Sequence, residues 1–133
     1  MPAKRFSVSI DQELIERFDA LIAEGGYDNR SQAVAGLISK ALERAELASP
    51  SAAVVGALSF VFDHGRHLNY KLVSEQHRYI EDIEGIAQTH LDDSRSLEVI
   101  LIRTTVSRAK ELAGRILSHR GVISGELSLF PYK

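Results

Sequence analysis

The stretch Lys4-Arg5-Phe6-Ser7-Val8-Ser9-Ile10, with Asp11 directly behind it, decides how the first half of this 133-residue chain is read. Side chains alternate faces along a strand, so Arg5, Ser7 and Ser9 share one face and Phe6, Val8 and Ile10 share the other. The second face suits burial against helices. The first offers a guanidinium and two hydroxyls at regular spacing. A lone strand is not stable in water, and its simplest partner is the same strand of a second copy. Two such strands make an antiparallel ribbon that fits the major groove, where Arg and Ser reach base edges. This strand is therefore expected to read DNA.

The residues behind it support that expectation. Asp11 is placed as an N-cap, and Leu14, Ile15, Phe18, Leu21 and Ile22 recur at helical spacing before Gly25-Gly26 stop the helix. After Tyr27-Asp28-Asn29-Arg30, Ser31 reads as the N-cap of a second helix whose apolar face is Val34, Leu37, Ile38, Ala41 and Leu42. A helix N-terminus presents free N–H groups and a positive dipole end, which suit a DNA phosphate. Asn29, Arg30 and Ser31 are the expected phosphate clamp, with Lys4 adding positive charge. Residues 1–48 thus read as a ribbon–helix–helix unit too small to be comfortable alone, so dimerisation is expected.

Composition sets the outer limits. The chain is 44% hydrophobic and 26% charged, as expected of a protein with real cores. It carries a net charge of −2, and residues 1–50 hold six Lys/Arg against eight Asp/Glu, so positive potential must come locally from Lys4, Arg5 and Arg30. Cysteine is absent, which excludes disulfides and thiolate metal sites. No secretory signal is visible at the start, and the longest apolar run, 52–62, is too short for a bilayer. The expected compartment is the cytoplasm.

Ala48-Ser49-Pro50-Ser51 holds the linker, drawn at 49–51, and the pattern changes beyond it. Residues 52–133 read as a strand at Ala52–Phe62 buried on both faces, a helix at Arg66–His77, strands at Tyr79–Leu91 and Leu97–Arg103, a helix at Thr105–His119 and a strand at Val122–Phe130. Asp92-Asp93-Ser94 reads as a turn. The order β-α-β-β-α-β is the split βαβ of ferredoxin-like (ACT-like) folds, so the fold class is α+β. His64 and His67 read as solvated surface histidines rather than a loose metal site, and His119 as a cation at a helix C-terminus. No phosphate-cradling loop, nucleophile elbow or dinucleotide fingerprint appears, and Glu81, Asp82 and Glu84 lack a matching His or nucleophile. An enzyme is not expected.

With these pieces in order, the chain resembles the nickel-responsive regulator family, NikR, from Arg5 to Pro131. Arg5-Phe6-Ser7-Val8-Ser9 resembles that family's base-reading strand, where Arg, Thr and Thr alternate, and Gly26-Tyr27-Asp28-Asn29-Arg30-Ser31 its loop into the second helix. Val73-Ser74-Glu75-Gln76-His77, Ser96-Leu97-Glu98-Val99 and Arg120-Gly121-Val122 resemble its regulatory half. The resemblance implies a transcriptional regulator, in most cases a repressor, acting on double-stranded operator DNA. It also implies a homotetramer, a dimer of dimers with DNA-binding pairs flanking a tetrameric core.

The family's square-planar nickel site, by the same resemblance, takes three histidines and a cysteine, with one histidine given by a neighbouring subunit. His77 matches that donated histidine. The following strand should carry His-x-His but reads Gln88-Thr89-His90, and Ser96 stands where the cysteine belongs. Gln88 and His90 do share a strand face. An amide and a hydroxyl are poorer partners for nickel than an imidazole and a thiolate, so both changes weaken the metal in the same direction. His77 and His90 remain as ligands for nickel or another divalent transition metal. Gln32 and Gly36 replace acidic residues of a cation site near the DNA-binding half, and Ala35 replaces a basic phosphate contact. The segment Gly65-Arg66-His67-Leu68 is one residue short of the family pattern, with Arg66 as its remaining phosphate contact. Three control inputs stay open: abundance alone, a different or weaker metal at His77 and His90, or a small anion beside Arg78 and Arg95. The rival class is a metal-binding or small-molecule-sensing protein with no DNA role.

Overall fold

A computed structural model of the chain describes residues 2–66 and 68–133, with the side chains of residues 66–69 outside the described set. The chain divides into two compact units, residues 1–42 and 43–133.

In the first unit, residues 2–11 belong to no regular element, because a strand needs a ladder and no other described segment supplies one. Helix α1 (Gln12–Gly25) opens on Asp11, whose carboxylate accepts from Leu14 N–H at 3.4 Å, and closes on Gly26 in the left-handed region at φ 78°. Helix α2 runs from Arg30 to Leu47. Its cap is Asn29 rather than Ser31: the Asn29 Oδ1 accepts from Gln32 N–H at 2.8 Å, and the Gln32 Oε1 accepts from Asp28 N–H at 2.7 Å. The arrangement resembles a capping box, with the cap two residues upstream of the expected one and the Gln32 side chain reaching the N–H of Asp28 rather than that of the cap residue itself. Among the described residues of α1 and α2 only Ala33 is buried, while Leu14, Leu21, Leu37, Ile38 and Leu42 are exposed.

The second unit is a four-stranded antiparallel sheet in the order β2-β3-β1-β4, from β1 (Ala53–Asp63), β2 (Ile83–His90), β3 (Arg95–Thr105) and β4 (Val122–Pro131). Helices α3 (Leu68–Arg78) and α4 (Val106–Leu117) complete the ferredoxin-like arrangement. The order matches the sequence reading. Strand β1, expected to be buried on both faces, alternates instead: Val54, Leu58, Phe60 and Phe62 are buried, and the residues between them are half-buried. The buried side packs with Ile100, Ile102, Leu72, Val106, Leu112 and Ile116 into one core. Each such side chain contributes roughly 1.5–3 kcal/mol on burial. At Gly56 a Cβ would sit 2.1 Å from the Ser128 carbonyl oxygen, so the β1–β4 approach admits no side chain there.

Three boundaries differ from expectation. The strand expected from Tyr79 begins at Ile83, because Ile80–Asp82 forms a 3-10 turn. The first crossover helix starts at Leu68, after a separate 3-10 turn at His64–Arg66. Helix α4 ends at Leu117, closed by Ser118 N–H onto the Gly114 carbonyl. His119 follows directly, its N–H donating to the Ile116 carbonyl at 3.2 Å, and its buried Nε2 has no hydrogen-bond partner among the described residues. Among the described residues, no helix is long and apolar enough to cross a membrane.

Candidate DNA-reading edge and candidate metal site

Asp11 fixes where α1 begins and so where the amino-terminal segment ends. Lys4, Arg5, Ser7 and Ser9 are all exposed there, as are Phe6 (64%), Val8 (64%) and Ile10 (48%) on the alternate positions. Three large apolar side chains in water at period two are a face awaiting cover. At the start of α2, the Arg30 guanidinium grips Asp19 of α1 through Nε (3.1 Å) and Nη2 (2.7 Å), which raises its affinity for its proton. Ser31 is exposed beside it. Gln32 N–H is taken by the Asn29 side chain and Ala33 N–H by the Asn29 carbonyl, leaving the earliest N–H groups of the turn for an anion. The expected contact at Arg66 lies outside the described side chains, and so does His67 altogether.

The metal-site positions lie at the β2–β3 end of the sheet. Register pairs Gln88 with Glu98 and His90 with Ser96, so these four residues share one face. Gln88 and His90 are exposed, whereas Ser96 is completely buried. His77 is elsewhere, on α3, lining an open hollow of about 360 Å³ with Tyr70, Val73, Ser74 and Arg78. His90 is not among the residues that line that hollow.

His64 occupies the ground around Ser96. Its Nε2 lies 2.8 Å from the Asp93 carbonyl oxygen, and its Nδ1 lies 2.8 Å from the Ser96 Oγ. A carbonyl can only accept, so Nε2 carries the hydrogen and, in the neutral ring, Nδ1 accepts from the Ser96 hydroxyl. The ring stacks on His90 at 4.6 Å between centroids. His64 is thus half-buried and fully hydrogen-bonded, not the solvated surface histidine the sequence suggested. The donors present do not fit square-planar nickel: an amide, an imidazole and a neutral hydroxyl already bonded to another ring replace the strong nitrogen and sulfur set.

Nearby charge is also committed. Arg95 binds Asp92 through Nε at 2.8 Å, and this contact with the Ser94 and Arg95 N–H groups holds the Asp92 carboxyl well below the usual carboxylate range. Arg95, like Arg30 at the start of α2, is held in an exposed ion pair. Deeper in, Glu98 is buried and accepts from Gln76 Nε2–H; burial pushes its carboxyl up, and the Gln76 bond offsets part of that. Sequence reading missed His64 and the Gln76–Glu98 pair. Pairing β1 with β3 in register would have set Asp63 opposite Arg95, and so His64 beside the β2–β3 turn.

Residues 55–130 match the family described as NikR C terminal nickel binding domain, and residues 4–45 match ribbon-helix-helix protein, copG family. The chain belongs to the NikR family. Relatives named as nickel-responsive regulators cover nearly its whole length. The one from Pyrococcus abyssi is 37% identical over 128 residues, 96% of this chain and 93% of its own. That of Lawsonia intracellularis is 38% identical over 96% of this chain and 92% of its own. That of Geobacter sulfurreducens is 38% identical over 92% of this chain and 89% of its own. NikR membership makes this a regulatory protein with a ribbon–helix–helix DNA-binding half.

Proposed function

We propose that the chain is a sequence-specific transcriptional repressor that works in the cytoplasm as a homotetramer, catalyses nothing, and responds to nickel weakly or not at all. Residues 1–48 bind operator DNA, 49–51 link, and 52–133 assemble and regulate. Arg5, Ser7 and Ser9 read bases; Lys4, Asn29, Arg30, Ser31 and Arg66 bind phosphates. The unpartnered apolar side of the amino-terminal unit carries this reading. Phe6, Val8 and Ile10, with Leu14, Leu21 and Leu37, are exposed in one chain, and a unit of this size cannot stand with almost nothing buried. Pairing of two such segments covers that side and turns Arg5, Ser7 and Ser9 outward as a ribbon. Assembly of the second unit is supported by the uncovered sheet face, where Val55, Ala57, Val99, Leu101 and Phe130 lie together and the last two are about half-exposed.

Selection from a random duplex pool at fixed salt tests the DNA role. The wild type is expected to enrich one sequence with two symmetric half-sites, and Arg5→Ala to lose about 1–3 kcal/mol of base discrimination. No enrichment, or an identical preference in Arg5→Ala, would contradict the assignment.

A further inference from the structure

His64 opens the 3-10 turn that follows β1, and it makes two hydrogen bonds to the segment between β2 and β3 and one to Ser96 of β3. Its backbone N–H donates to the Ser94 carbonyl at 2.8 Å. Its Nε2–H donates to the Asp93 carbonyl at 2.8 Å, and its Nδ1 accepts from the Ser96 hydroxyl at 2.8 Å. The segment it grips is already shaped from inside, since the Asp92 carboxylate accepts from the Ser94 and Arg95 N–H groups at 3.0 and 2.8 Å. On its open side the His64 ring stacks on His90. One side chain thus binds a turn carbonyl, the first buried side chain of β3 and the last side chain of β2.

A metal at this edge would have to undo that arrangement. Both ring nitrogens of His64 are engaged, so ligation through either one costs a formed bond. Ser96 is buried with its hydroxyl spent on His64, and freeing it would leave a polar group without a partner. A hydroxyl does not supply the anionic sulfur that gives nickel its strongest bond in such a set. We infer that His64 acts as a metal-independent clasp: its imidazole cross-links the 3-10 turn after β1, the β2–β3 turn and Ser96, and orders this edge in the place where a metal would do so. Ser96 is thereby a partner of His64 and not a weakened nickel ligand. The inference deepens the reading of an altered nickel response, but its test involves no DNA, so failure of the DNA-binding reading would leave it standing.

The full-length protein is compared as wild type, His64→Ala, His64→Gln, Ser96→Ala and the double variant Gln88→His/Ser96→Cys. Nickel chloride is titrated by calorimetry and absorbance, and thermal midpoints are recorded in chelator. The wild type is expected to take up no stoichiometric nickel at micromolar metal, while the double variant binds it with a thiolate charge-transfer band. Ser96→Ala and His64→Ala should each lower the midpoint by about 4–8 °C in chelator. His64→Gln should fall less, because an amide retains one donor and one acceptor. If His64→Ala does not fold, Ser96→Ala carries the same comparison. Stoichiometric nickel uptake by the wild type, or midpoints of Ser96→Ala and His64→Gln equal to wild type, would overturn the clasp.

Discussion

Two carboxylates in the regulatory half respond to pH in opposite senses. Glu98 is buried between β3 and α3, and burial pushes its carboxyl above the ordinary value despite the bond from Gln76. The folded state therefore favours its protonated form. Stability from this group is fully present below the unfolded value and is lost as pH rises through the folded one. Asp82 is shifted the other way, chiefly by the Arg108 guanidinium and, more weakly, by the Thr104 hydroxyl at 2.7 Å. Its contribution is present above the unfolded value and disappears as pH falls through the folded one, so the two windows lie on opposite sides of the usual carboxylate range. Glu98→Gln removes one window and leaves the other. Denaturant unfolding between about pH 4 and pH 8 should show the wild type losing stability relative to Glu98→Gln as pH rises. Parallel curves would show that Glu98 has no raised value.

At the scale of elements, the cap of α2 is the most local device in the DNA-binding half. Asn29 and Gln32 satisfy each other's flanking N–H groups, and removing the Asn29 side chain frees the Gln32 N–H. Asn29→Ala is expected to cost about 1 kcal/mol of stability, read from the denaturation midpoint, whereas Ser31→Ala should cost little. The reverse order would return the cap to Ser31. Most elements were legible in the sequence because their periods are strong. The apolar faces of α1, α2 and α4 repeat at helical spacing, and β1 and β3 are rich in β-branched and aromatic residues. The cap was misplaced because Asn29 and Ser31 are both good capping residues two positions apart. The Tyr79 boundary failed because Ile80-Glu81-Asp82 carries no period at all, and its 3-10 turn is fixed by the Thr104 and Arg108 contacts to Asp82. His64 was misjudged for a different reason. Its partners at Asp93 and Ser96 lie 29 and 32 residues away, where local pattern gives no sign of them.

For the whole molecule, the two units differ in how much they hold back for other copies. The regulatory unit closes a core of Phe60, Phe62, Leu58, Ile100 and Ile116 within one chain, yet leaves one sheet face partly apolar. The amino-terminal unit fully buries only Ala33 among its described residues and half-buries Ile15, Phe18, Ile22 and Val34, so one copy holds little core of its own. Family membership makes this protein a regulator, and the proposed change at the β2–β3 edge concerns its nickel input alone. The proposed reading makes DNA output independent of nickel, and one titration decides it. Binding of the full-length protein to its selected duplex is measured at one fixed salt concentration, once with nickel and once with chelator. Equal affinity under both conditions is the predicted result. A rise of tenfold or more with nickel, about 1.4 kcal/mol of coupling, would contradict the account.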